Sequence, residues 1–150
     1  MHNYIVAITV TSKRLTIEQI SEIVGHAPTF ARKKGELNFR GEKWRQSTWR
    51  LEPLRPKSSN LEKLTVSVLS EWPIGVSKKL CRVDPRCAVE LDVAVIHHTY
   101  TATFTLTPSI IRAAAERELP IVVSSYPGQK PAHTGRLPAR GTRVRSKSRR

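Results

Sequence analysis

The sequence predicts an α+β domain, arranged as a two-layer sandwich with a mainly antiparallel sheet of about five strands and two to three helices on one face. Some segments alternate apolar and polar residues, others place apolar residues at helical spacing, and their order along the chain is β-α-β-α-β-β-α-β. The 150 residues suit one domain with one core. We assign residues 1–126 to that domain and residues 127–150 to a disordered basic tail.

The first half of the domain predicts two strands, one helix and a long loop. Residues 4–10 alternate as a strand does. Thr16 is the expected cap of a short amphipathic helix that ends at Gly25. Residues 26–46 lose periodicity and predict a surface loop, and residues 47–51 predict a short strand.

Two further segments predict helices. Asn60 is the expected N-cap of an amphipathic helix that Pro73 ends or kinks. Val76, Leu80 and Val83 predict one more turn of the same kind after it. Thr107, which precedes a proline, is the expected N-cap of the last helix, and Pro120 ends that helix.

A hairpin is the clearest strand prediction in the second half. Residues 88–96 and 99–107 both alternate, and only His97 and His98 separate them, so we predict antiparallel pairing. In the second arm, five threonines face away from the apolar side chains, so one face of the sheet is expected to lie against the core and the other to be exposed to solvent. Residues 121–126 predict the last strand.

Three strings of residues carry a resemblance to a known family. They are VGHAPTFARKKGE from Val24 to Glu36, STW from Ser47 to Trp49, and LTPSIIRAAAERELPIVVSSY from Leu106 to Tyr126. In this order and spacing they resemble the bacterial domain of unknown function 4279 family, over about residues 3–126. The resemblance implies an α+β fold and supplies no catalytic residue.

The net charge of +14 is concentrated in two segments. Residues 127–150 contain eight basic residues and no acidic one. Residues 32–57 contain nine basic and three acidic residues, and the remainder of the chain is neutral overall. Such segments favour contact with a polyanion, either a nucleic acid or an acidic protein.

Several functional classes lack support in the sequence. There is no apolar stretch long enough for a membrane span and no signal peptide, so we expect a cytoplasmic protein. Cys81 and Cys87 lack the spacing of a zinc site, and no third ligand accompanies His97 and His98, so no metal or cofactor is predicted. Without a phosphate-binding loop or a nucleophile motif, nothing argues for an enzyme. Oligomeric state is left open.

The candidate partner-binding residues are basic side chains together with one interleaved tryptophan. They are Arg32, Lys33, Lys34, Arg40, Lys43, Trp44 and Arg45 in the loop, and Arg143, Arg145, Arg149 and Arg150 in the tail. Basic residues interleaved with aromatic ones can hold phosphates while the rings stack on bases. The alternative is a solvated loop whose aromatic residues fold back over the sheet edge. Trp49 and Trp72 are expected in the core.

Three functions therefore stay open at this point. The favoured hypothesis is a small non-enzymatic binding or regulatory domain that presents the loop and the threonine-rich sheet face to a partner, for which an acidic protein is a candidate. The second is a nucleic-acid-associated protein that uses the loop and the tail, since arginine-rich segments attract phosphates by counterion release. The third is an uncharacterised enzyme with a pocket beneath the loop.

Overall fold

The computed structural model describes residues 3–55, 57–98 and 103–128. Six strands and four helices lie within these ranges. In chain order they are β1 (Asn3–Ser12), α1 (Ile17–Val24), β2 (Phe30–Arg32), β3 (Ser47–Leu51), β4 (Lys57–Ser58), α2 (Leu61–Ser70), α3 (Val76–Val83), β5 (Ala88–His97), α4 (Pro108–Glu116) and β6 (Ile121–Pro127).

The six strands form a single sheet with the order β2-β3-β1-β5-β6, and β4 pairs with the first part of β1. Every pairing is antiparallel except that of β5 with β6, which is parallel. The predicted α+β class with a mainly antiparallel sheet is therefore confirmed. That the helices share one face of the sheet stays a prediction.

One face of the central strands contributes to the hydrophobic core. Ile8 of β1 lies between its partners Leu51 on β3 and Leu91 on β5, so the three side chains share a face. All three are fully buried. The same core cluster includes Trp49 and Trp72, whose rings lie 5.9 Å apart. The prediction that both tryptophans are core residues is confirmed.

Each buried tryptophan also satisfies its polar N–H group. Trp49 Nε1 donates a hydrogen bond to Ser21 Oγ (3.0 Å), and Trp72 Nε1 donates to Ser77 Oγ (3.2 Å). A buried indole N–H without an acceptor would lose its hydrogen bond to water with no replacement. The two serines therefore fix how α1 and α3 meet the tryptophan pair.

The predicted N-caps of α1, α2 and α4 and the predicted end of α1 are confirmed by the cap geometry, whereas α2 and α4 end at Ser70 and Glu116, a few residues before the prolines expected to end them. Thr16 forms a capping box at the start of α1, and Gly25 ends the helix with a φ of 76°. The left-handed backbone conformation costs glycine little energy, because glycine has no Cβ atom. Asn60 accepts a hydrogen bond from Lys63 N at the start of α2, and Thr107 caps α4.

The predicted hairpin of residues 88–96 with residues 99–107 is wrong. Both edges of β5 are occupied, by β1 on one side and by β6 on the other. Residues 99–102 lie outside the described residues, and residues 103–107 form no strand. The ring of Phe104 instead packs against Tyr4, with their centroids 6.5 Å apart. Alternation alone could not show that a strand from further along the chain takes the edge of β5.

Two short strands lie in segments where the sequence predicted only connections. Within the predicted loop of residues 26–46, β2 pairs with β3, although all three of its residues are exposed. β4 contributes two residues that pair with β1. Neither strand is long enough to show a period of two, so their hydrogen bonds to a neighbouring strand define them.

The predicted tail falls almost entirely outside the described residues. β6 ends at Pro127, and Gly128 is the last residue described. Residues 129–150, which carry all eight of the basic side chains counted in the tail, lie beyond it. Among the described helices, none has the length and apolar character to cross a membrane.

We predict that Trp72→Ala lowers the free energy of unfolding by about 3–5 kcal/mol, because it removes a fully buried ring and leaves a cavity beside Trp49. Trp44→Ala is the matched control, since Trp44 is only partly buried and its loss should cost about 1 kcal/mol or less. Urea denaturation of both variants measures the difference. Equal losses would contradict the assignment of Trp72 to the core.

Candidate binding surface: a basic hairpin

The predicted loop contains a projecting hairpin, residues 33–46, which we call the basic hairpin. Gly35 N donates to Trp44 O (2.9 Å), and Trp44 N donates to Glu36 O (2.9 Å). Further out, Asn38 N donates to Glu42 O (2.8 Å). These bonds give a segment with no apolar core of its own a defined backbone.

The tip of the basic hairpin is fixed by one asparagine and one glycine. Asn38 Oδ1 accepts hydrogen bonds from Arg40 N (2.9 Å) and Glu42 N (3.0 Å). Gly41 has a φ of 76° and donates its N–H to Asn38 O (3.0 Å). Asparagine side chains stabilise turns in this way, and glycine readily takes the left-handed position that closes them. The turn therefore orders the side chains it carries.

An arginine between two aromatic rings anchors the base of the basic hairpin. Phe30 and Arg32 lie on the same face of β2, because they are two residues apart on a strand. The Arg32 guanidinium carbon lies 5.0 Å from the centroid of Phe30 and 4.6 Å from that of Trp44. Each such cation–π contact stabilises by about 0.5–1 kcal/mol at an exposed site. Of the predicted site residues, Arg32 and Trp44 are thus brought together, in a role that holds the base.

The tip presents an aromatic ring and free cations to solvent. Phe39 is 89% exposed, so it does not fold back over the sheet edge. Arg40 lies over its ring at 5.3 Å. Within the described part of the chain, Lys43 and Arg45 form no ion pair or hydrogen bond through their side chains. These three basic residues are available to a partner.

Lys33 and Lys34 point away from the tip and contact the domain body. Lys33 Nζ forms an ion pair with Glu18 on α1 at 2.8 Å, and Lys34 Nζ donates to Lys13 O at 2.8 Å. The hydrogen bond between Lys33 and Glu18 lowers the pKa of the carboxyl group and raises the pKa of the ammonium group. These two predicted site residues therefore attach the hairpin rather than extend its free positive surface.

A second group of charges lies on the sheet face opposite the core. Thr9 Oγ1 donates to the Asp92 carboxylate, and Arg50 lies 3.5 Å from the same carboxylate and 2.7 Å from Glu52. Glu90 is two residues from Asp92 on the same face, and burial together with the Asp92 charge raises its pKa. This network could not be predicted from the sequence, because its members come from three segments that are distant in the chain.

The described residues give no sign of a metal centre. No group of three or more histidine, cysteine, aspartate or glutamate side chains among them lies close enough to hold a metal ion. His97 is the last residue of β5, and its carbonyl accepts a hydrogen bond from Gly128 N (2.6 Å). Burial raises the pKa of the Cys87 thiol to about 12, so this thiol stays protonated at neutral pH.

The remaining predicted site residues belong to the tail. Arg143, Arg145, Arg149 and Arg150 lie outside the described residues. The threonine-rich face assigned to residues 99–107 is not a sheet face in the described part of that segment. The candidate surface therefore consists of the tip of the basic hairpin, with the stack of Arg32 at its base.

Comparison with known proteins identifies the family. The family model described as domain of unknown function (DUF4279) matches residues 2–128, so the chain belongs to that family. The resemblance noted from the three sequence strings is confirmed. No curated protein matches this chain, and no solved structure does.

We predict that Glu90→Gln raises the free energy of unfolding at neutral pH. Because folding raises the pKa of Glu90, the folded protein holds this proton more tightly than the unfolded chain does, and stability falls as pH rises through the raised pKa. The gain from Glu90→Gln should vanish below the ordinary value of 4.5, where the carboxyl group is neutral in both states.

Urea denaturation at neutral pH and at a pH below 4.5 measures the change in the free energy of unfolding. The exposed Glu22→Gln on α1 is the matched control, because it removes the same charge away from the network. A gain of equal size for both variants at neutral pH would mean that net charge alone is responsible, and would contradict the prediction.

Proposed function

We propose that this member of the DUF4279 family is a small non-enzymatic binding domain that recognises an acidic protein through the tip of the basic hairpin. The observation that carries the proposal is the exposure of Phe39 with Arg40 beside it, together with Lys43 and Arg45 on the same hairpin. None of the three basic side chains forms an ion pair with the described part of the domain. An exposed aromatic ring and free cations on one hairpin suit an interface with an aromatic anchor and a charged rim.

The charge balance of the segment supports an acidic partner. Residues 32–46 contain six basic and two acidic residues. Both acidic side chains contact their own segment, since Glu36 accepts a hydrogen bond from Lys33 N and Glu42 accepts one from Asn38 Nδ2. Neither therefore neutralises Lys43 or Arg45. A complementary negative surface would gain orientation and association rate from these charges.

The fixed backbone also supports a recognition role. The turn at Asn38 and Gly41 holds the tip before any partner arrives, so less conformational entropy is lost on binding. Arg32, held between two rings, keeps the base of the hairpin against β2.

Single-stranded nucleic acid is the competing ligand, because cations beside an exposed ring also suit phosphates and stacked bases. Each ring of this surface already has a guanidinium over one face: Arg32 lies over Phe30 and Trp44, and Arg40 lies over Phe39. Rings covered in this way are a weak platform for consecutive bases. We therefore favour an acidic protein, and we place its recognition in a reducing cytoplasm, since both cysteines are free thiols.

We predict that the triple variant Arg40→Ser, Lys43→Ser and Arg45→Ser binds a fluorescein-labelled polyglutamate peptide about tenfold more weakly at low salt, because three rim charges are lost. The control variant removes three exposed basic residues from α2, α3 and α4: Lys63→Ser, Lys79→Ser and Arg112→Ser. Fluorescence anisotropy measures both. No binding by the unmodified protein, or an equal loss in the control, contradicts the proposal.

A photo-crosslinking residue at Phe39 identifies what the tip contacts in cells. Because this side chain is 89% exposed, the replacement should leave the fold intact. We expect adducts with a protein of acidic surface, lost in the triple hairpin variant and kept in the control. Adducts that nuclease removes would instead favour the nucleic-acid alternative.

A further inference from the structure

We propose that a cleft beside the buried carboxylate of Asp84 binds the phosphate group of a small phosphomonoester. The cleft has a volume of about 310 Å³ and is lined by Lys13, Arg14, Asp84, Pro85 and Arg86. We call it the Asp84 cleft. It is separate from the tip of the basic hairpin and does not depend on the function proposed for that tip.

Hydrogen bonds connect the two turns that form the Asp84 cleft, one after β1 and one before β5. Ser12 Oγ donates to Asp84 Oδ2 at 2.6 Å, and it accepts hydrogen bonds from the N–H groups of Arg14 (3.1 Å) and Leu15 (2.8 Å). Asp84 Oδ1 accepts a hydrogen bond from Arg86 N at 3.1 Å. One carboxylate thus orders the turn after β1 and the turn before β5, and both turns carry basic side chains.

The basic side chains of the cleft form no ion pair and no side-chain hydrogen bond within the described part of the chain. Lys13, Arg14 and Arg86 lie within 4.0 Å of no carboxylate oxygen there and use no side-chain nitrogen in a hydrogen bond. Unpaired basic side chains are common when they are dispersed over a protein surface. Here three of them surround one concave surface whose backbone is held in place.

Asp84 offsets only part of the positive charge of these side chains. It is 1% exposed, and both of its oxygens already accept hydrogen bonds. The hydrogen bond from Ser12 lowers the pKa of Asp84, so the carboxylate carries its charge at neutral pH. Its single negative charge therefore offsets one of the three positive charges, and the cleft keeps an excess of two.

An excess of two positive charges matches a phosphate monoester, which carries about −1.5 to −2 at neutral pH. Arginine suits this ligand because its planar guanidinium can donate two parallel hydrogen bonds to phosphate oxygens. Arg14 comes from the turn after β1 and Arg86 from the turn before β5, and both line the cleft. A phosphate in the cleft could receive donors from both turns.

The rest of the ligand has a place to extend. A second cavity of about 270 Å³ shares Lys13 and Arg14 with the Asp84 cleft and is also lined by Lys33, Lys34 and residues at the start of α1. Glu18 neutralises Lys33 there, whereas Lys34, whose Nζ donates to Lys13 O, keeps its charge. Leu15 and Ile17 also line this cavity, so it can hold the organic part of a phosphomonoester.

Titration of the unmodified protein with phenyl phosphate, followed by NMR of the backbone and arginine N–H groups, tests the proposal. We expect saturable shifts at Arg14 and Arg86, with chloride at matched ionic strength producing none. Phenyl phosphate should bind more tightly than inorganic phosphate. Equal affinity for the two would overturn the assignment to an ester, and shifts elsewhere on the domain would overturn the site.

Paired substitutions provide the second measurement. Arg14→Gln with Arg86→Gln should weaken phenyl phosphate binding at least about tenfold, because two charge-assisted donors are lost. Lys63→Gln with Arg112→Gln removes the same charge elsewhere and should leave the affinity unchanged. An equal loss in both pairs overturns the proposal. Unchanged binding in the triple hairpin variant would separate this cleft from the peptide site.

Discussion

The position of β1 in the middle of the sheet is the constraint on which the rest of the domain depends. It pairs with β5 through nine residue pairs on one edge and with β3 and β4 on the other. Its side chains are buried on both faces from Val6 to Val10. Because so many neighbours meet this strand, its register sets which residues of β3 and β5 face the core. A shift of one residue would reverse every side chain of the strand.

One end of the β1–β5 pair and one edge of the sheet account for the positions of the charged surfaces. Ser12, the last residue of β1, binds Asp84, and the turns that meet there carry Lys13, Arg14 and Arg86. On the adjacent edge, β3 supports β2, and from β2 the basic hairpin projects. The positive charge that the composition shows as one large excess is thus divided between separate surfaces. A further part of that charge is neutralised, as in the contact of Lys33 with Glu18.

Part of the candidate site could be predicted because it is continuous in sequence. Arg40, Lys43 and Arg45 lie in one segment with few acidic residues, and that segment folds as a single hairpin. Which basic side chains are already paired could not be predicted, because Lys33 and Lys34 contact residues more than a dozen positions away in the sequence. The Asp84 cleft was missed for the same reason: Ser12 and Asp84 are 72 residues apart, and neither belongs to a recognisable motif.

The sequence by itself determined the starts of α1, α2 and α4, the strands β1, β5 and β6, and the two core tryptophans, because caps, periodicity and breakers act between residues that are near neighbours in the chain. Thr16, Gly25 and Asn60 fixed helix ends in this way. Only the tertiary structure decided that β6 lies parallel to β5, which removed the predicted hairpin, and that three exposed residues form β2. Strand pairing and charge pairing depend on contacts between distant segments, and those contacts exist only once the chain has folded.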